Sequence, residues 1–532
     1  MSTKFSRVDR EQPGRKQSVR RRTVSVVVTV VALLLTGCTP NVRWVSPTSG
    51  GASASASSSG PAIRPPVWKN CRTDATQILG GQVPSGMTYE CGTIEVPQNW
   101  NQPDPAKTFH IALMRVRDQH QNRKVGSLVV NPGGPGGSGV ELAAYLSAQL
   151  PNDILERFDI VGFDPRGVSR SDPVKCFSDA DMDAYFGFDP DPQNQADFDA
   201  FVALNRKMAQ SCQAKYGDTL SLFATEQAAH DLDGIRQALG EPKLTYLGFS
   251  YGTLLGATYA QLFPKNIRAF VLDGAVDPTQ QAVDSAEGQA KGFSHAFDQF
   301  ANWCKDNAGQ CPAGPDAKAT LAAALDKGRK APPTAADGRK VTAGWVLLGV
   351  FEALYSQRLW PLLAEGLANV VKGDPKRIMQ IADEYPQRDP SGHYANMIDV
   401  FNTVSCDDDA SGETIDQART LQSQWRTKYP VFGTSLAMGV VSCAVWPAKR
   451  DPFPTGKASG APPIVVVGTV NDPATPYEQT AKLANMLGVG HVVTWEGEGH
   501  TAYPQTTCIR AAVDAYLITL AVPAEGLRCP AK

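Results

Sequence analysis

Residues 244–256, LTYLGFSYGTLLG, hold the pattern on which the fold turns. KLTYLGFS is a short apolar run of strand type; YGTLLGATYAQLF has helical character and stops before Pro264. Between them, Gly248-Phe249-Ser250-Tyr251-Gly252 matches G-x-S-x-G. Chance alone gives about 0.2 such matches in a chain of this length and ordinary composition, so placement must decide. A serine at a strand-to-helix turn sits on a strained corner that exposes its hydroxyl at the carboxyl end of a sheet. Glycines two before and two after it allow close backbone packing. The first N–H groups of the following helix are free to hold an oxyanion. Ser250 is therefore the candidate nucleophile.

Outward from this turn, strand and helix signals alternate. GSLVVNPGG (126–134), FDIVGFDPRG (158–167) and IRAFVLDG (267–274) are apolar runs ending in turn residues, and AAHDLDGIRQALG (228–240) has helical spacing with a Gly240 stop. Short apolar runs separated by helices predict an α/β core: a mostly parallel sheet with helices on both faces. From about 278 to 455 the strand runs vanish. GWVLLGVFEAL and LWPLLAEGLANVVKG read as helices punctuated by Pro and Gly. Strand grammar returns in PPIVVVGTVNDP and HVVTWEGEGH, and CIRAAVDAYLITL is a last helix. The predicted organisation is a core over 67–277 and 456–532, interrupted by a helical lid over 278–455.

The 532 residues are 42% hydrophobic and 20% charged, a globular composition. Residues 1–37 hold 8 Lys/Arg against 2 Asp/Glu; the rest has 43 basic and 51 acidic residues. That acidic excess speaks against nucleic acid or an anionic membrane surface as partner. Arg20, Arg21 and Arg22 precede an apolar run from Thr23 to Leu35, shorter than the roughly 20 residues that span a bilayer. The run ends in Leu35-Thr36-Gly37-Cys38, which resembles a bacterial lipobox. Residues 1–38 are thus expected to be an export signal, with Cys38 acylated and the protein anchored by lipid to the outer face of the cell membrane. Residues 39–66, with SPTSGGASASASSSGP, are expected to be a flexible tether.

There are 11 cysteines, and ten remain once Cys38 is set aside. Ten allow about 900 pairings, so the sequence does not fix connectivity. Short separation favours Cys71–Cys91, Cys176–Cys212, Cys304–Cys311, Cys406–Cys443 and Cys508–Cys529, as an oxidising compartment would permit. No C-x-x-C occurs, which argues against a zinc or thioredoxin-like site. No metal or organic cofactor is implied.

A nucleophilic serine needs a base, and the base an orienting acid. His500 follows the last predicted strand on the loop EGEGH, where it reaches across the sheet edge; His110, His230, His295, His393 and His491 fall in elements or in the lid. Asp472 lies in NDPATP at a strand end, with Asp273 in FVLDG as the alternative acid. The order Ser250, Asp472, His500 is that of an α/β-hydrolase triad. One oxyanion donor is expected from Tyr251, and the second from NPGGPGGSG (131–139). That loop lacks the Lys-Ser/Thr ending of a phosphate cradle and the spacing of a dinucleotide fingerprint.

Seven segments, NPGGPGGSG, FDPRGVSRS, DLDGIRQALG, YLGFSYG, DGAVDP, NDPATP and GEGH, together resemble the secreted tripeptidyl aminopeptidases of actinobacteria and their esterase-like relatives. These belong with the proline iminopeptidases among α/β-hydrolase serine peptidases. The resemblance runs from about residue 67 to the end. It implies an α/β-hydrolase fold, a Ser250–Asp472–His500 triad, and Gly134 with Tyr251 as oxyanion donors. It also implies a substrate role for Asp408, which stands two residues after Cys406 as in the family's Cys-x-Asp segment. Asn131 replaces the histidine that opens this loop in the proline iminopeptidases, as in the tripeptidyl branch. Asp164 and Arg166 in DPRG read as a structural brace.

Three functions follow. The first is an exported exopeptidase that removes short peptides from free N-termini. The second is a carboxylesterase, since the same triad serves amides and esters. The third is a peptide-binding lipoprotein without catalysis, which has no need of three intact triad residues. The expected partner is a peptide or ester substrate.

Overall fold

The computed structural model describes residues 63–532. The export segment with Cys38, and the tether up to residue 62, lie outside the described residues. Among the described residues ten strands form one sheet: β1 Lys69–Asn70, β2 Met87–Pro97, β3 Thr108–Asp118, β4 Gly126–Asn131, β5 Phe158–Phe163, β6 Leu244–Phe249, β7 Ile267–Asp273, β8 Ile464–Asn471, β9 Gly490–Glu498 and β10 Leu527–Cys529. Their order is β1-β2-β3-β5-β4-β6-β7-β8-β9-β10. Pairings from β5 and β4 across to β10 are parallel. β1, β2 and β3 join antiparallel at the other edge. No strand was expected over β2. Its sequence, MTYECGTIEVP, is half-buried and mixes polar with apolar residues, so it lacks the continuous run of a central strand.

The central strands are buried on both faces, and alternate side chains divide between two cores. Leu128, Val130, Val465 and Val467 pack under helices Gly139–Gln149 and Thr507–Thr519. Val129 and Val466 pack under Thr225–Ala238 and Tyr251–Leu262. Each such side chain contributes about 1.5–3 kcal/mol on burial, which explains why these strands tolerate no polar alternation.

Between β7 and β8 run eight α-helices, from Ala282–Asp306 to Phe432–Ala444, with an apolar core of their own around Phe293, Phe300, Trp345, Leu363 and Phe432. A second insertion, between β5 and β6, joins them. Helix Asp179–Gly187 adds Met182 and Phe186 to that core, and helix Gln195–Tyr216 packs Phe198 and Phe201 with Met438 and Val440. The cap is thus drawn from two stretches of chain. The five disulfides are Cys71–Cys91, Cys176–Cys212, Cys304–Cys311, Cys406–Cys443 and Cys508–Cys529. Cys406–Cys443 pins helix Met397–Asp408 to helix Phe432–Ala444. No helix among the described residues is long and apolar enough to cross a membrane.

Candidate active site

Ser250 stands where β6 gives way to helix Tyr251–Leu262, at φ 54° and ψ −125°. This is a strained conformation for a residue with a Cβ, and it turns the hydroxyl out of the sheet. Its N–H donates to the Asp273 carbonyl at 2.9 Å, which ties the turn to β7. Beneath it, a Cβ on Gly248 would stand 2.4 Å from the Gly252 carbonyl oxygen, so a side chain there would push the helix off the strand.

The loop after β4 lies against this turn. A Cβ on Gly133, at φ +88°, would meet the Phe249 carbonyl oxygen at 2.4 Å and Tyr251 N at 2.9 Å. The Gly133 N–H is already committed, donating to Asn131 Oδ1 at 2.9 Å. Among the described residues, neither the Gly134 nor the Tyr251 N–H has a protein acceptor. One comes from the glycine loop that packs on the Ser250 turn through Gly133, and one from the helix start next to Ser250. They suit the oxygen of a tetrahedral intermediate.

Asp472 follows β8 and is buried. Both its oxygens lie 2.9 Å from His500 Nδ1. It also accepts from the N–H groups of Ala474 and Thr475, each at 2.9 Å, and from Thr475 Oγ1 at 3.0 Å. A carboxylate so held cannot rotate away, and because it only accepts, the proton sits on Nδ1. Nε2 is left as the nitrogen that can take the serine proton. Burial alone would lower the affinity of His500 for a proton; the Asp472 charge and hydrogen bond, with a further push from Asp273, outweigh it and leave the pKa raised.

Asp273 does not bond the imidazole. Its carboxylate accepts from Ala502 N at 3.0 Å and Tyr503 N at 2.7 Å, holding the loop that carries His500. Burial pushes its carboxyl up to about 7, against those same backbone bonds. Nucleophile and base flank this residue. Ser250 N bonds its carbonyl, and a Cβ on Gly274 next to it would be 3.2 Å from His500 Cε1. Asp164 and Arg166 are both fully buried: Arg166 pairs with Asp231 at 2.6 Å and Asp164 accepts from Ser138 Oγ at 2.5 Å.

The cap reaches down to this site. His500 N–H donates to the Tyr355 carbonyl at 2.9 Å, and the two rings meet edge-on at 5.3 Å. A cavity of about 890 Å³ lies between cap and core, lined beside Ser250 by Tyr251, Pro135 and Tyr355. At another wall it is lined by Asp408, Asp409, Ser411 and Glu413. Asp408 accepts from Thr225 N at 2.8 Å and Thr225 Oγ1 at 2.6 Å, and that hydroxyl is 2.6 Å from Tyr251 Oη. Burial, opposed by the Thr225 bonds and aided by Asp451, pushes the Asp408 carboxyl up to about 7. Among the described residues the one cluster close enough to share a metal is Cys71, Asp74 and Cys91; its sulfurs are joined to each other and are not thiolates.

Of the residues expected from sequence, the structure brings Asp472 onto His500 and sets the Gly134 loop against the Ser250 turn, and Tyr251 and Asp408 both line the cavity. Sequence reading missed Thr475, Tyr355, Asp409 and Glu413, and the role of Asp273. Thr475 lay inside the quoted NDPATP; nothing marks Tyr355, which reaches His500 only through the folded cap.

A serine on a strained strand-to-helix turn, an aspartate-held histidine and a two-donor oxyanion site define a serine hydrolase of the α/β-hydrolase class. The chain belongs to the tripeptidyl-aminopeptidase-like family of that class. Residues 429–529 match the family described as TAP-like protein. Over 540 residues the chain is 37% identical to the serine protease Hip1 of Mycobacterium tuberculosis, covering 97% of this chain and 99% of that one. It is 34% identical to carboxylesterase B of Mycobacterium tuberculosis over 533 residues, 96% and 99% of the two chains. It is 30% identical to the tripeptidyl aminopeptidase of Streptomyces coelicolor over 480 residues, 87% and 85%.

Proposed function

We propose that this hydrolase is an exported exopeptidase that removes tripeptides from free N-termini. The observation that carries the reading is the acidic wall of the cavity. Asp408 and Glu413 face it with no Lys or Arg within 4.0 Å among the described residues, and Asp409 has only Arg450 at 3.8 Å. Unpaired buried carboxylates are costly, and a substrate ammonium relieves them. Distance favours a short peptide. One tyrosine side chain and two hydrogen bonds link the neighbour of Ser250 to Asp408, a path of at most on the order of 10 Å, which leaves room for no more than about three extended residues.

In this reading Ser250 Oγ attacks the third carbonyl while His500 Nε2 takes its proton. The Gly134 and Tyr251 N–H groups hold the oxyanion. The C–N bond breaks, His500 returns the proton to the leaving amine, and water repeats the sequence to free the tripeptide. Asp408 stands at the amino end of the bound peptide. A second reading, carboxylesterase, is favoured by the aromatic stretch of the cavity wall, Phe188, Phe293, Phe351 and Phe401, which suits an acyl chain. Turnover of a free-amine tripeptide anilide and of its N-acetyl form separates the two. The exopeptidase reading expects the free amine to be favoured by about 30-fold or more in kcat/KM. Equal rates would exclude it.

A further inference from the structure

We propose that Tyr355 of the cap is a positioning residue for the catalytic base: its carbonyl seats the backbone of His500 and its ring covers the imidazole, so the triad is complete only while the cap is seated. This role is the same for a peptide and an ester substrate. Tyr355 follows helix Ala343–Leu354 in the cap, far along the chain from His500. Its carbonyl accepts the His500 N–H at 2.9 Å. A Cβ on Gly499, at φ +108°, would stand 2.8 Å from that carbonyl oxygen, so a glycine before the base lets the loop come this close. The two rings meet edge-on, with centroids 5.3 Å apart and planes at 85°. The His500 side chain is left only 11% exposed.

The cap holds Tyr355 in turn. Phe293 and Tyr385 flank its ring, at 5.7 and 6.4 Å between centroids. Phe293 belongs to helix Ala282–Asp306, which also grips the loop of the acid. Gln289 Nε2 on that helix donates to the Ala474 carbonyl at 3.1 Å, and a Cβ on Gly292 would stand 2.5 Å from the Pro473 carbonyl oxygen. Base and acid thus rest on one braced patch of the cap. The cover has an electrostatic sign. Burial disfavours the imidazolium; it is the largest single influence on His500 and opposes the charges of Asp472 and Asp273. The other ionisable groups nearby act one step removed: Glu498 on β9 faces Asp472, while Glu352 and Tyr385 face Tyr355. Removing the ring admits water to the imidazolium and raises the pH at which the base becomes neutral.

The pH dependence of Ser250 labelling by a small fluorophosphonate, on the intact protein, tests this. The bond from Ser250 Oγ to phosphorus forms, fluoride leaves and the hydroxyl proton passes to His500, so the rate follows the neutral imidazole. The probe carries no ammonium, and its result is independent of the exopeptidase reading. Tyr355→Ala should move the acid limb up by about half a pH unit or more and lower the plateau rate by about tenfold. Tyr355→Phe, which keeps the ring, should restore the wild-type limb. A folding defect lowers the plateau alone, because the midpoint of the limb does not depend on how much protein is folded. Should Tyr355→Ala yield no folded protein, Tyr355→Leu, with apolar bulk but no ring, should move the limb in the same direction. A limb left in place, or moved down, in the variants without the ring would refute the cover. An equal shift in Tyr355→Phe would pass the effect to the hydroxyl and overturn the assignment.

Discussion

At His500 two opposed effects set the working pH. Burial favours the neutral ring; Asp472 and Asp273 favour the charged one, and the charges win. A general base must be neutral, so activity should rise with pH through a value above the ordinary 6.5 of imidazole. Asp273→Asn removes one of the two charges that raise it while keeping an acceptor for the Ala502–Tyr503 turn. The acid limb of the kcat/KM profile should then move to lower pH, with turnover near pH 8 retained within about tenfold. Asp472→Asn removes the group that fixes the tautomer and should cost on the order of 10³–10⁴ in kcat at every pH. The reverse pattern would make Asp273 the catalytic acid. The sequence offered both aspartates at strand ends. What separated them was invisible there, because Asp273 meets residues 502–503 only after the sheet forms.

The glycine loop after β4 is the element that completes the oxyanion site. It was legible because NPGGPGGSG follows a strand and no phosphate-binding pattern fits it. The division of labour inside it was not legible. Gly133 spends its N–H on Asn131 and packs against the turn of Ser250, which leaves Gly134 as donor. Gly133→Ala should therefore act as loss of an oxyanion donor, lowering kcat by about 10²–10³ with KM little changed. Full kcat in a folded Gly133→Ala variant would show that the loop does not set the hole. The cap was only half legible for a physical reason. Helices between β7 and β8 interrupt the strand pattern over a long stretch, whereas those of residues 179–216 sit inside the stretch 67–277 assigned to the core, with strand signals on both sides. Their partners, Met438 and Val440, are distant in sequence.

Across the whole molecule, export and peptide trimming are one proposal. Five disulfides suit an oxidising compartment, and the lipobox-like Leu35–Cys38 would hold the catalytic unit at the membrane by a tether. Cys38→Ala should move the protein from membrane to soluble fractions, and a mature N-terminus at another residue without lipid would exclude the anchor. The cavity then makes the sharper demand. With Tyr251, the neighbour of Ser250, and Asp408 both lining it and linked through Thr225, the proposed enzyme should count from the amine. Mass spectrometry of a free ten-residue peptide and its N-acetylated twin measures this. Successive N-terminal tripeptides from the first, with the second left intact, is the predicted result; internal cuts, or equal digestion of both, would contradict it.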